Sequence, residues 1–134
     1  MIDIRIYEEY NEQEILDLYK SVRWDAYTSE PEKLRKGFEN SLLIFGAYDR
    51  ERLVGIIRTV GDGQTVVLIQ DILIYPEYQR KGIGTKLVDM VVKHFDGVRQ
   101  IQLLTDNTHK TLSFYHSLGF CEVSSLGCCA LMKK

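Results

Sequence analysis

The sequence predicts a mixed α/β fold, a sheet of antiparallel hairpins that gains a parallel neighbour through one long crossover, with helices on its faces. Three observations lead to it. Residues 42–48, 53–60 and 65–74 are apolar, β-branched runs separated by Asp49-Arg50-Glu51-Arg52 and Gly61-Asp62-Gly63, connections short enough for hairpins. An amphipathic stretch follows, with Ile83, Leu87, Val91 and Phe95 at helical spacing and Val88 and Met90 widening the stripe. A short apolar run over 101–104 comes after it, so the intervening helix supplies a crossover of the length that parallel strands require.

Ile2, Ile4 and Ile6 alternate with charged or polar residues, the period of a half-exposed strand. Asn11 with Glu14 makes a capping box, Tyr10 and Ile15 take the staple positions around it, and a helix is expected to about Val22. Ser29 with Glu32 repeats the box, and Pro31 sits in the first turn where its missing N–H costs nothing, so a second helix is expected to end near Asn40. The three-strand meander then runs to Tyr75-Pro76, where proline cannot donate a ladder hydrogen bond.

Composition bounds the function. At 134 residues the chain is read as one domain over 1–134, long enough to bury roughly two-thirds of its unfolded surface. A net charge of -2 with cations spread along the chain argues against a nucleic-acid partner. The charged, alternating start lacks the features of a signal peptide, and no run approaches the ~20 apolar residues of a membrane helix, so a cytoplasmic location without membrane contact is expected. Cys121, Cys128 and Cys129 have no CxxC spacing and are expected as reduced core or near-core thiols. His94, His109 and His116 do not combine with cysteines or carboxylates at ligand spacing, so no metal is predicted.

The stretch Gln79-Arg80-Lys81-Gly82-Ile83-Gly84-Thr85, between a buried strand and a helix, carries the most chemistry. A helix N-terminus presents unpaired N–H groups and partial positive charge, and glycine lets an anion reach them without meeting a Cβ. Arg80 and Lys81 add charge and Thr85 a hydroxyl, so a pyrophosphate suits the loop, although the glycines alone also fit a plain strand-to-helix turn. Neither familiar alternative matches. A Walker loop needs lysine after its second glycine, where Thr85 stands, and a dinucleotide fingerprint needs a third glycine where Leu87 stands.

The order of long apolar strand, Gln79-x-x-Gly82-x-Gly84, helix, short strand and Tyr115-His116-Ser117-Leu118-Gly119-Phe120 resembles the GNAT superfamily of N-acetyltransferases. The resemblance implies a twisted mixed sheet of about six or seven strands flanked by about four helices. It implies acetyl-CoA as co-substrate, with Ile72, Leu73 and Ile74 on the pantetheine arm and Gln79, Arg80, Lys81, Gly82, Ile83, Gly84 and Thr85 on the phosphates. It also implies Tyr115 beside the cofactor sulfur, an acceptor pocket walled by the segment holding Trp24 and Tyr27, and a homodimer. The family often has an asparagine seven residues before the tyrosine; Thr108 stands there, and Asn107, one residue earlier, is taken as its stand-in.

The expected function is therefore transfer of an acetyl group to a primary amine of a small molecule by direct attack. The alternatives are a non-catalytic acyl-CoA sensing module, or an enzyme acting on a protein N-terminus or lysine. An amine of pKa ~10 is almost wholly protonated at neutral pH, a deficit of about 4 kcal/mol in free nucleophile, so a base or a desolvated pocket must assist. Asp71 interrupts the apolar strand and is the candidate base, against a reading in which period-two alternation puts it on a wet face or lets it bond the neighbouring chain. Tyr115 is the candidate proton donor to the leaving thiolate.

Overall fold

The computed structural model describes residues 1–134, which form two compact units, Met1–Leu104 and Thr105–Lys134. In the first unit the strands are β1 (Ile2–Ile6), β2 (Leu43–Asp49), β3 (Arg52–Gly61), β4 (Val66–Ile74) and β5 (Gln100–Leu103). They lie in the order β1-β2-β3-β4-β5, with antiparallel pairs from β1 to β4 and a parallel pair of β4 with β5. The helices of this unit are α1 (Glu12–Ser21), the single turn α2 (Asp25–Thr28), α3 (Pro31–Glu39) and α4 (Ile83–His94).

The local chemistry explains the boundaries. The Asn11 side chain accepts from the Glu14 backbone N–H at 3.0 Å and starts α1 as expected. The reciprocal half of the box goes elsewhere. The Asn11 N–H donates to the Tyr7 hydroxyl at 3.0 Å, and that hydroxyl donates to Glu14 at 3.2 Å. The second cap differs from expectation. Ser29 closes α2, and Glu30, whose side chain makes no capping hydrogen bond, is the N-cap of α3, so Pro31 carries the start by its preset φ. Arg23, at φ 63°, turns the chain out of α1 and into Trp24.

Ile15, Leu18 and Tyr19 of α1 with Leu34 and Phe38 of α3 cover one face of the sheet, packing on Ile44, Leu53, Ile56 and Leu73. Each fully buried side chain of that size contributes about 1.5–3 kcal/mol. On α4 the predicted stripe is the buried one, through Ile83, Leu87, Val88 and Val91.

The β3–β4 hairpin is closed by Asp62, whose Oδ1 accepts from the backbone N–H groups of Gln64, Thr65 and Val66 at 2.8, 2.8 and 3.1 Å. Gly61 precedes it at φ 133°, and a Cβ there would lie 2.4 Å from the Val66 carbonyl oxygen. The Thr65 hydroxyl and these amides hold the Asp62 carboxyl well below the usual carboxylate range. A depressed carboxylate stabilises the fold above its unfolded pKa and ceases to do so as pH falls through the folded value. Asp62→Ala should therefore lower the melting temperature at pH ~7, and the gap from wild type should close as pH falls below ~4. A gap unchanged by pH in thermal scans would show that the charge contributes nothing.

The second unit holds α5 (His109–Ser117), capped by the Thr108 hydroxyl accepting from the Thr111 N–H at 3.3 Å. Beyond it lies one 3-10 turn, Val123–Leu126, and no strand. The sheet therefore has five strands, fewer than the six or seven expected, and there are five helices rather than about four. The turn ends on Gly127 in the left-handed region at φ 78°. All three cysteines are exposed, correcting the expectation of core or near-core thiols.

Candidate active site

The site is built where β4 outruns its parallel partner. Pairing with β5 covers Val66 to Ile69 only, while β4 continues to Ile74. The β3–β4 register also changes there, from Thr59 opposite Ile69 to Arg58 opposite Asp71. Gln70 is thus the extra residue of a β-bulge, and Gln70 and Asp71 turn toward the α1–α3 face together.

The bulge decides which backbone groups face the open edge. Tyr75 N–H bonds the Val54 carbonyl at 2.9 Å, and the same register carries back through Ile74 opposite Gly55 and Leu73 opposite Ile56. Because ladder polarity alternates, Leu73 is turned toward β3, whereas Ile72 and Ile74 present N–H and C=O outward. The Gln79 side chain accordingly donates to the Ile74 carbonyl at 3.0 Å. The expected contact set narrows: Leu73 has its backbone turned to β3 and its side chain in the core, only 4% exposed.

The loop after β4 is anchored and its far end is open. Tyr78 donates to Asp49 at 2.5 Å, and the Arg52 guanidinium lies over the Tyr75 ring at 4.7 Å. Gln79, Arg80, Lys81 and Gly82 follow, all exposed. Arg80 takes φ 63° and Gly82 φ 79°, the former at about 1–2 kcal/mol for a residue with a Cβ. Gly82 is the N-cap of α4 and offers no side chain to its first amides, so the N–H groups at Ile83, Gly84 and Thr85 have no capping partner. A Cβ at Gly82 would meet nothing within 4 Å. These features fit a phosphate group.

Asp71 is not placed as a free base. It is 2% exposed and its carboxylate is filled: Oδ2 accepts from Arg58 Nε at 2.7 Å and from the Tyr19 hydroxyl at 2.9 Å, and Oδ1 from the Tyr27 hydroxyl at 2.9 Å. Arg58 also reaches the Gly37 carbonyl and the Ser41 hydroxyl, at 3.3 and 3.1 Å, and lies over the Phe38 ring at 5.4 Å. Burial, with the Asp71 charge second, pushes the Tyr19 hydroxyl far above its ordinary value. Burial and these three hydrogen bonds, which take three of the carboxylate's about four lone-pair positions, weigh against the candidate-base reading.

Trp24 and Tyr27 are brought together and half-buried, with ring centroids 5.9 Å apart and planes 33° from parallel. Tyr27 reaches the bulge: exposed Gln70 donates to its oxygen at 3.3 Å. Arg58 and Tyr19 were missed by sequence reasoning. One signal existed, since Arg58 is the lone charge inside the second apolar run as Asp71 is in the third.

In the second unit Tyr115 is 8% exposed, edge-on to Phe114 and Phe120 at 4.9 and 5.9 Å. Burial, and secondarily Asp106, raise its hydroxyl above the ordinary tyrosine value. Thr108 is committed to the α5 cap, and the exposed Asn107 beside it lies in the loop before the helix.

A family model described as acetyltransferase (GNAT) domain matches residues 6–130. A GNAT-family acetyltransferase from Streptococcus pneumoniae, of known structure, is 36% identical with a TM-score of 0.90, covering 100% of this chain and 98% of that one. An uncharacterised N-acetyltransferase of Prochlorococcus marinus is 31% identical over 113 residues, 80% of this chain; the chain spans 61% of that relative's length. The structure of the PaiA N-acetyltransferase from Thermoplasma acidophilum in complex with coenzyme A has a TM-score of 0.71 over 91% of both chains, at 20% identity, a likeness of fold. No helix is long and apolar enough to cross a membrane.

Proposed function

The chain belongs to the GNAT family of acetyltransferases, and from that premise we propose that it transfers an acetyl group from acetyl-CoA to a primary amine of a small molecule. The observation that carries the reading is the pairing of an outward-facing β4 edge at Ile72 and Ile74 with an uncapped α4 N-terminus one short loop away. Ile72 and Ile74 hold the amide-bearing arm as an added strand would be held, and the loop from Gln79 to Thr85 holds the phosphates. Asn107 adds an amide contact. The family match runs across both units, which supports reading 1–134 as one functional domain. A cytoplasmic location is part of the same proposal.

Acetyl-CoA supplies an activated thioester. The amine, as its free base, attacks the carbonyl carbon; the C–N bond forms, the C–S bond breaks, the nitrogen loses one proton and the departing thiolate gains one. With Asp71 filled, the nitrogen's proton goes to water rather than to that carboxylate. Tyr115 keeps its proton across neutral pH because its pKa is raised, so it serves the thiolate, of pKa about 8.5, as a hydrogen-bond donor.

A thermal-shift titration tests the reading. Acetyl-CoA at a hundredfold excess over Kd should stabilise the protein by about 2.7 kcal/mol, with NAD and ATP ineffective. Gly82→Val should abolish most of the shift, since it forces a β-branched residue into a left-handed conformation and puts a side chain over the first turn of α4. No shift with wild type overturns the co-substrate. A shift without small-amine-dependent thiol release would instead point to a sensing module or to an enzyme acting on a protein N-terminus or lysine.

A further inference from the structure

We propose that the Tyr27 oxygen is the hydrogen-bond acceptor on which the substrate's amino group docks, and that buried Asp71 is the positioning residue that keeps it an acceptor. The inference rests on the acetyltransferase reading above and names how the same site takes its amine. A tyrosine hydroxyl has one proton to donate and two lone pairs. The proton is committed to Asp71 Oδ1 at 2.9 Å, because that carboxylate, already facing Arg58 and the Tyr19 hydroxyl, can only accept. One lone pair accepts from Gln70 at 3.3 Å. The other remains for a donor.

The Tyr27 oxygen lies at the working end of the sheet. Gln70 is the first residue of β4 beyond its pairing with β5, so a group bonded to Gln70 stands where the two strands part. Tyr27 and Gln70 are the members of the network that are not buried; Asp71, Arg58 and Tyr19 are sealed beneath them at 2%, 6% and 0% exposure. The orientation is thus fixed from below and read from above. Trp24 stands beside Tyr27 as an apolar wall, with a ring face that favours an amine carrying an aryl or alkyl group.

The chemistry selects a donor-bearing acceptor. A primary amine can give one N–H to the Tyr27 oxygen and keep its lone pair free for the thioester carbonyl. A hydrogen bond involving an ionisable partner is worth enough to change affinity about tenfold when removed.

The experiment uses the full chain, with phenethylamine and n-hexylamine as probes and thiol release as the readout. Tyr27→Phe should raise KM for the amine about tenfold and leave KM for acetyl-CoA where it was. Asp71→Asn, whose amide can donate to Tyr27 and turn its proton outward, should also raise the amine KM, with the acid limb of the pH–rate profile unmoved. An unchanged amine KM in an active Tyr27→Phe protein overturns the inference and leaves the acetyltransferase reading intact. An acid limb that shifts in Asp71→Asn makes Asp71 a base and likewise overturns it. If Asp71→Asn does not fold, Tyr27→Phe decides alone. Wild type that acetylates neither probe overturns the small-amine reading and the inference with it.

Discussion

Arg58→Ala is expected to lose about 3–5 kcal/mol of folding stability, the usual result of removing one partner from a buried ion pair. The size follows from what is left behind. Arg58 and Asp71 side chains are 7% and 1% exposed, so the carboxylate would keep two tyrosine hydroxyls but no compensating charge. The Gly37 carbonyl and Ser41 hydroxyl would also lose their guanidinium donor, and Phe38 the cation over its ring. Urea unfolding measures the loss. A double replacement, Arg58→Met with Asp71→Leu, should recover part of it, because no unpaired charge remains although the buried Tyr19 hydroxyl loses its acceptor. A loss below about 1 kcal/mol for Arg58→Ala would mean that water reaches Asp71 and that no sealed network holds Tyr27.

Tyr115→Phe is expected to lower kcat by about 10²-fold or more while KM for acetyl-CoA stays unchanged, the range for a proton donor acting on a leaving group. The ring contacts survive the substitution: Phe114 and Phe120 lie edge-on to the ring at 4.9 and 5.9 Å, and phenylalanine keeps them. Only the hydroxyl is removed. Stopped assays at saturating amine and acetyl-CoA would separate the two parameters, and normal kcat would remove Tyr115 from the reaction. In wild type the donor is lost only as pH rises through a pKa already above the ordinary tyrosine value, so the rate should not fall between pH ~7 and ~9 on its account.

The two replacements test parts of the protein that differed in legibility. The helix end at Tyr115 was legible because a short local pattern, a tyrosine followed by Gly119-Phe120, carries its own signal. The α1 cap, the hairpin at Asp62 and the buried stripe of α4 were legible for the same reason, since each depends on residues within one or two turns of chain. Local rules failed where neighbouring segments compete. Ser29 was an equally good cap for α3 by spacing, but α2 claims it, and no local rule weighs a one-turn helix against a cap.

By itself, then, the sequence determined the order of elements, the antiparallel meander, the crossover and the glycine-rich opening of α4, because periodicity, caps and turn residues act over short distances. The tertiary structure alone decided what Asp71 does. Its partners Arg58, Tyr27 and Tyr19 are 13, 44 and 52 residues away in sequence, and their meeting depends on one extra residue at Gln70 that turns two neighbouring side chains to the same face. A bulge of that kind has no period to read. Whether a carboxylate in an apolar strand is a free base or a filled acceptor follows from which long-range partners reach it, and that is settled only when the chain has folded.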